Sequence, residues 1–355
     1  MSWYTLDDED DDAPYGEYAD HEVRQRPNPK GNRPRTKQRP EHADAVIGMV
    51  TAVDRGRYTA LVARGADPHD TRERSVVAAR ARELRNTPIV IGDRVQLVGD
   101  ASGAEGTLAR IVGLEERTTL LRRSADDSDK VERVMVANAE QMLIVVAAAN
   151  PEPRVRLVDR YLVAAYDAGI HPLICITKID LADPEPFLEN FSALEVPVFR
   201  VSPDSDLTGI RAALAGATTV FVGHSGVGKS TLINALVPDA DRATGHVNEV
   251  TGRGRHTSSS SVALRVDAPG DGTTSESAAG WVIDTPGVRS FGLGHVTSDG
   301  ILRGFADLAE LIDECPRGCT HLDGSPDCEL DAAIADGRLD ASGARRVESL
   351  RRLLA

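Results

Sequence analysis

Between residues 43 and 123 the apolar positions come in short β-rich runs: ADAVIGMVTAVD, RYTALVA, PIVIGDRVQLVGD and EGTLARIVGLEE. Gly, Asp and Pro separate them, so the runs read as strands joined by turns. About five such strands in a segment this short suit a small closed barrel of the OB-fold type. The rhythm then changes. From 124 to 294 apolar strands (QMLIVVAAA, HPLICIT, VPVFRVS, TTVFVG, WVID) alternate with helix-like stretches (RLVDRYLVAAYDAG, PFLENFSAL, GIRAALAG, KSTLINAL). That alternation predicts a parallel sheet with helices on both faces. From 295 to 355 the text is helical and carries cysteines. Residues 1–42 are Pro-rich, charged and poor in large aliphatics, and read as a disordered arm. The expected fold class is therefore multi-domain: an all-β barrel, an α/β domain and a helical C-terminal domain.

Charge adds an asymmetry. The net charge is −14, yet residues 1–23 hold nine acids and no base, while 24–40 hold seven bases and no acid. Residues 24–123 together are net +8 on an acidic protein. A basic front half suggests a polyanion partner, set against the plainer reading of a solvated charge pattern. Tyr58 is the one aromatic in a barrel segment with thirteen arginines. Contact with nucleic acid would then run through backbone and shape more than base stacking. The longest obvious apolar run, MLIVVAAA, is too short to span a membrane. The acidic N-terminus has no signal-peptide pattern, so a cytoplasmic location is expected.

The chemistry begins at GHSGVGKS, Gly223 to Ser230, which matches G-x-x-x-x-G-K-[ST] between a strand and a helix. Here Gly223, His224, Ser225, Gly226, Val227, Gly228, Lys229, Ser230 and Thr231 would cradle phosphates. Lys229 would bridge the β- and γ-phosphates, and Ser230 would hold Mg²⁺. Downstream, WVIDTPG ends a strand in D-x-x-G. Asp284 is placed to reach the Mg²⁺ and the Gly287 N–H the γ-phosphate. Upstream lies TKID, Thr177, Lys178, Ile179 and Asp180. The Asp180 carboxylate can accept from guanine N1 and N2, which adenine cannot match. Thr177 stands where an Asn is usual, which predicts one weaker loop-tying contact. Ser202 and Pro203 fall where a second base-side loop is expected. The order base-reader, phosphate loop, switch, D-x-x-G is that of a circularly permuted GTPase.

Between phosphate loop and D-x-x-G, the polar stretch HVNEVTGRGRHTSSSSVAL reads as a switch loop. Thr257 is the expected Mg²⁺ hydroxyl, with Ser258 as the alternative. Val288 follows D-x-x-G where many GTPases place a water-orienting Gln, so slow intrinsic hydrolysis is expected and His256 is the candidate to position water. Finally, CPRGCTHLDGSPDC supplies Cys315, Cys319, His321 and Cys328, a donor set for one closed structural zinc. Cys175, in LICIT, reads as core.

These motifs closely resemble those of the ribosome small-subunit-dependent GTPases, the RsgA or YjeQ family. The likeness rests on TKID before GHSGVGKSTLINAL, on GRGRHTS, on DTPGVRSFGL, on C…CTH…C and on the earlier GDRVQL. It spans about residues 43–355. It implies an OB-fold domain, a permuted GTPase domain and a helical zinc domain. It also implies binding to the small ribosomal subunit and its rRNA, and GTP hydrolysis stimulated by that subunit late in its maturation. Two cysteine-cluster gaps, of three and six residues, depart from the family's four and five and compensate in length. A GTP-gated rRNA-binding adapter with negligible turnover is the alternative function. Nothing in the sequence suggests obligate assembly.

Overall fold

A computed structural model describes residues 42, 44–124, 132–237, 262–267, 279–285 and 298–355. Five strands form the N-terminal barrel: β1 (Val46–Asp54), β2 (Arg57–Val62), β3 (Arg74–Arg80), β4 (Arg94–Gly99) and β5 (Ala109–Leu114). They pair in the order β1-β2-β3-β5-β4, and β4 returns to β1, which closes the barrel. All pairs are antiparallel except β3 with β5. Val50, Ala60, Val62, Val76, Ala78, Val95, Leu97 and Ile111 fill it and are fully buried. Tyr58 is also inside, its ring part of that core. Strand β3, RSVVAAR, lies in a charged stretch that carries no obvious strand signal. Only Val76 and Ala78 face inward, the minimum a barrel wall needs.

A hairpin follows, β6 (Leu120–Ser124) with β7 (Glu132–Ala137). It meets the barrel at the GDRV turn. Asp93 is buried and accepts two hydrogen bonds from the Arg117 guanidinium, at 2.7 and 2.9 Å. Arg117 also donates to Pro88 O, and Asn138 Nδ2 donates to Gly92 O. A Cβ on Gly92 would sit 2.0 Å from Ala137 O, so this contact requires glycine.

The central sheet contains β8 (Gln141–Ala147), β9 (His171–Thr177), β10 (Val198–Val201), β11 (Thr218–Val222), β12 (Val262–Val266) and β13 (Gly280–Asp284). Their order is β10-β9-β8-β11-β13-β12. All are parallel except β12, which runs antiparallel to β13. Helices α1 (Val155–Asp167), α2 (Glu185–Leu188), α3 (Thr208–Leu214) and α4 (Lys229–Leu236) connect them. The PFLENFSAL stretch is only partly α-helical: α2 gives way to a 3₁₀ turn over Glu189–Phe191. The polar switch stretch is expected to extend through Val262–Leu264, but these residues open β12. Their strand character is conferred by pairing with β13 on one side and β1 on the other.

That second pairing, Ala52 with Val262, sits at a bulge in β1 and joins barrel and central sheet into one eleven-stranded ladder. Arg265 on β12 supports it by pairing with Glu73 beside β3 at 2.9 Å. The C-terminal part comprises α5 (Ser298–Leu302), α6 (Ala309–Asp313), α7 (Glu329–Ala335) and α8 (Ala341–Leu354). Asp340 caps α8, accepting from the N–H groups of Ser342 and Gly343. Two arginines dock α8. Arg346 pairs with Asp307, donates to Ala193 O and lies over Phe305. Arg352 grips both oxygens of Asp159 on α1 at 3.1 Å and lies over Phe191. Among the described residues no helix is long and apolar enough to cross a membrane.

Candidate functional site

The phosphate loop grows from β11, whose Val220, Phe221 and Val222 are completely buried at the centre of the sheet. Each such side chain contributes about 1.5–3 kcal/mol by leaving water, so the loop springs from a strand anchored in the core. Gly223 passes so close to β8 that a Cβ would lie 2.5 Å from Val145 O. Gly228 ends the turn at φ +90° and hands over to α4 at Lys229. The resulting helix N-terminus presents backbone N–H groups and positive partial charge, the setting for a phosphate. Arg211 holds the other end of α4, donating to Ala235 O and Leu236 O at 2.7 Å. Ser230 and Thr231 open α4 and are exposed, while Val227 is buried under the loop.

Strand β13 lies beside β11, and Thr285 Oγ1 donates to Phe221 O at 2.7 Å. This brings Asp284 to the phosphate loop, where its Oδ1 pairs with Lys229 Nζ. An ammonium and a carboxylate thus meet at the start of α4. Oxygen donors from Ser230 and Asp284 suit Mg²⁺.

The TKID segment leaves β9, two strands from β11. Thr177 Oγ1 donates to Val227 O at 2.5 Å and also lies 3.2 Å from Val146 O. The hydroxyl therefore ties TKID to the phosphate loop in place of an amide. Lys178, at φ +57°, adds a second tie through Nζ, which donates to Gly226 O at 2.8 Å and to Asn150 O. With the lysine held there, Ile179 and Asp180 project past the end of β9. Strand β10 runs alongside, Val201 opposite Thr177, so Ser202 and Pro203 emerge beside them. His256, Thr257, Ser258, Gly287 and Val288 lie outside the described residues.

The cysteine cluster forms a second centre. Ligand atoms of Cys315, Cys319, His321 and Cys328 all lie within 4.8 Å of one another. His321 Nδ1 is buried with no hydrogen-bond partner, an arrangement that a metal ion would satisfy. The backbone N–H of His321 points to Cys319 Sγ and that of Glu329 to Cys315 Sγ, both at 3.4 Å. Arg351 donates to His321 O and to Asp331 beside them. Burial, with Arg351 adding to it, lowers the His321 pKa and favours the neutral imidazole that a metal needs. Burial pushes the Cys315 thiol up to about 11. This cluster can hold a metal through four protein ligands. Cys175 is fully buried, and burial pushes its thiol up to about 12, as suits a core residue.

The model of the RsgA GTPase family matches residues 114–294. A small ribosomal subunit biogenesis GTPase RsgA from Pseudomonas aeruginosa is 37% identical over 287 residues, covering 78% of each chain. The chain belongs to the RsgA GTPase family. The protein of the same name from Pseudomonas syringae pv. tomato is 38% identical over 276 residues, covering 75% of this chain and 74% of its own. Two crystal structures share the fold. YjeQ from Thermotoga maritima has a TM-score of 0.59 at 22% identity, over 88% of this chain and 99% of its own. YloQ, described as a circularly permuted GTPase, has a TM-score of 0.57 at 24% identity, over 88% and 96%.

As an RsgA GTPase the chain is a GTP hydrolase, and its strand order has the permuted form. Three features of this RsgA site were not read from the sequence. Asn150 O receives Lys178, Thr285 pins β13 to β11, and Arg351 braces the metal cluster. The first two act through a backbone carbonyl, which no side-chain pattern encodes. The third is one of four arginines in α8, with nothing local to single it out.

Proposed function

We propose that this RsgA GTPase hydrolyses GTP to GDP and phosphate while bound to the small ribosomal subunit and its rRNA, late in that subunit's maturation. The observation that carries the nucleotide reading is the double tie of TKID to the phosphate loop, through Thr177 to Val227 O and Lys178 to Gly226 O. That tie supports a site in which Asp180 faces the guanine and the loop faces the phosphates. Asp180 accepts from guanine N1 and N2. Residues 223–231 hold the phosphates, with Lys229 on the β- and γ-oxygens. The Gly287 N–H meets the γ-phosphate. Ser230, Thr257 and Asp284 hold Mg²⁺, which supplies charge neutralisation at the phosphates when bound. His256 orients the attacking water, since Val288 has no group to do so. Cys315, Cys319, His321 and Cys328 hold one structural zinc, and four protein ligands leave no position for zinc chemistry.

The domains in this reading are a 1–42 arm, a 43–123 barrel, a 124–294 GTPase domain and a 295–355 zinc domain. The barrel's arginines supply the rRNA contacts. The protein works as a cytoplasmic monomer, away from membranes. The names of the Pseudomonas relatives support the small subunit as partner. GTP turnover by the purified protein, alone and with vacant small subunits, tests this, with Lys229→Ala as the blank. Strong stimulation by small subunits is expected. GTP binding without stimulation would favour the second reading, a GTP-gated rRNA-binding adapter, which Val288 at the water-orienting position supports.

A further inference from the structure

Asp284 and the barrel stand on one row of the sheet. Asp284 lies opposite Val262 on β12, and Val262 in turn lies opposite Ala52 on β1. On its other side Asp284 lies opposite Phe221, on the strand that feeds the phosphate loop. Two strand spacings, about 10 Å, thus separate the barrel's backbone from the residue proposed above as the Mg²⁺ carboxylate. The place of Val262 matters for what precedes it. Thr257, the hydroxyl proposed for Mg²⁺, stands five positions earlier in the chain. Five residues reach at most about 17 Å, so Val262 bounds the places open to Thr257.

Strand β12 is held in two ways. Ala263, Leu264 and Val266 are buried and fix the body of the strand. Val262 is only half-buried, and among the described residues its outer edge pairs with Ala52 alone. The bridge falls beside the bulge between Val50 and Ala52. A bulge re-aims a strand locally, and here Ala52 pairs with Thr59 on one side and Val262 on the other. The second attachment is ionic. Arg265 donates to Glu73 at 2.9 Å, with both side chains 29% exposed. Glu73 is a firm partner, because Arg74 beside it donates to Asp67 Oδ2, Ala101 O and Asp70 O at 2.5, 2.6 and 3.0 Å. One backbone bridge and one ion pair therefore fasten β12 to the barrel at two points.

We propose that the barrel is a positioning element for the Mg²⁺–GTP site, holding the start of β12 through Ala52–Val262 and Glu73–Arg265 so that Thr257 can serve as a metal ligand. That role rests on the GTP–Mg²⁺ reading above and deepens it. Switch residues answer to the γ-phosphate, which GDP lacks, so the contact favours GTP over GDP. Linkage makes the effect reciprocal: whatever shifts the barrel on β12 is felt at the γ-phosphate, and GTP in turn tightens the barrel on β12.

The test measures dissociation constants of the full chain for GDP and for a non-hydrolysable GTP analogue, both with Mg²⁺. Glu73→Arg sets two like charges against each other on the barrel, outside every residue assigned to the nucleotide. It is expected to weaken the analogue about two- to fivefold, as for a partly exposed ion pair, while GDP binding holds. Glu73→Gln, the gentler change, should move the ratio of the two constants in the same direction by less. Glu73→Arg/Arg265→Glu restores attraction with the signs exchanged and should recover most of the loss. The loss should disappear when Mg²⁺ is chelated, because Thr257 acts through the metal. Equal weakening of both nucleotides marks a merely structural contact and overturns the proposal. No change in either, or a loss that persists without Mg²⁺, overturns it as well. If the unaltered chain binds neither nucleotide, the GTP reading itself has failed and the positioning role falls with it.

Discussion

Thr177 shows how a single hydroxyl can hold a site together. Its bond to Val227 O is buried between the base-reading and phosphate loops. Thr177→Val keeps the shape and leaves that carbonyl without its donor, at a cost of about 1–2 kcal/mol. GDP should bind roughly five- to thirtyfold more weakly to the valine variant, and Thr177→Ser should restore most of the loss. Calorimetric titration decides. Asp159 offers a contrasting case. Burial raises its pKa, and Arg352 acts against that rise. A carboxyl raised in the folded state holds its proton better folded than unfolded, so its contribution to stability falls as pH rises through the elevated value. Arg352→Ala leaves a buried, unpaired anion at pH 7 and should cost about 3 kcal/mol. Asp159→Asn should cost much less. The Arg352→Ala penalty should shrink in acid as Asp159 takes up its proton, which urea melts from pH 7 to pH 4 would reveal. The residues of the phosphate loop were legible because their spacing encodes a backbone path. The partner of Thr177 was not, since Val227 stands fifty residues away and contributes only a carbonyl.

At the scale of elements, strands with strong apolar cores were readable and those defined by neighbours were not. Strands β8, β9 and β11 announce themselves as apolar runs. Strand β3 has few inward side chains and β12 follows a polar run, and both owe their extended form to the strands beside them. The GDRV turn is a third kind of element, visible as a motif but opaque in purpose. Its glycine admits Ala137 O, and its aspartate receives Arg117. Gly92→Ala forces a Cβ into that carbonyl and should destabilise the chain by about 3 kcal/mol or more. A thermal melt measures it. The cysteine–histidine cluster was legible from spacing alone, and its consequence lies in α7. Cys328 stands at the N-cap of that helix, and the Glu329 N–H is directed at Cys315 Sγ. With the proposed zinc bound, stripping it with a strong chelator should therefore fray α7 and lower the melting temperature. GDP affinity should stay within about twofold, because α8 remains docked through Arg346 and Arg352.

For the whole molecule, three domain types were readable from periodicity, yet the join between the first two was not. Among the described residues one pair, Ala52 with Val262, carries the sheet from one into the other. Neither residue is marked in the sequence. The permuted strand order was legible because TKID precedes the phosphate loop. That order also governs how the chain is made. Of the central-sheet strands, β8 leaves the synthesising ribosome first, with one long edge meant for β11. Only after the chain has grown from Ala147 to Thr218 does β11 begin to appear. At roughly 5–20 residues per second, a bare apolar edge waits on the order of 4–15 s for its partner. Until then the half-built sheet can bind no nucleotide, and that edge is open to any stray strand. The newborn protein is thus most vulnerable at its own centre, at a stage when an unpermuted relative would already have its phosphate strand in place.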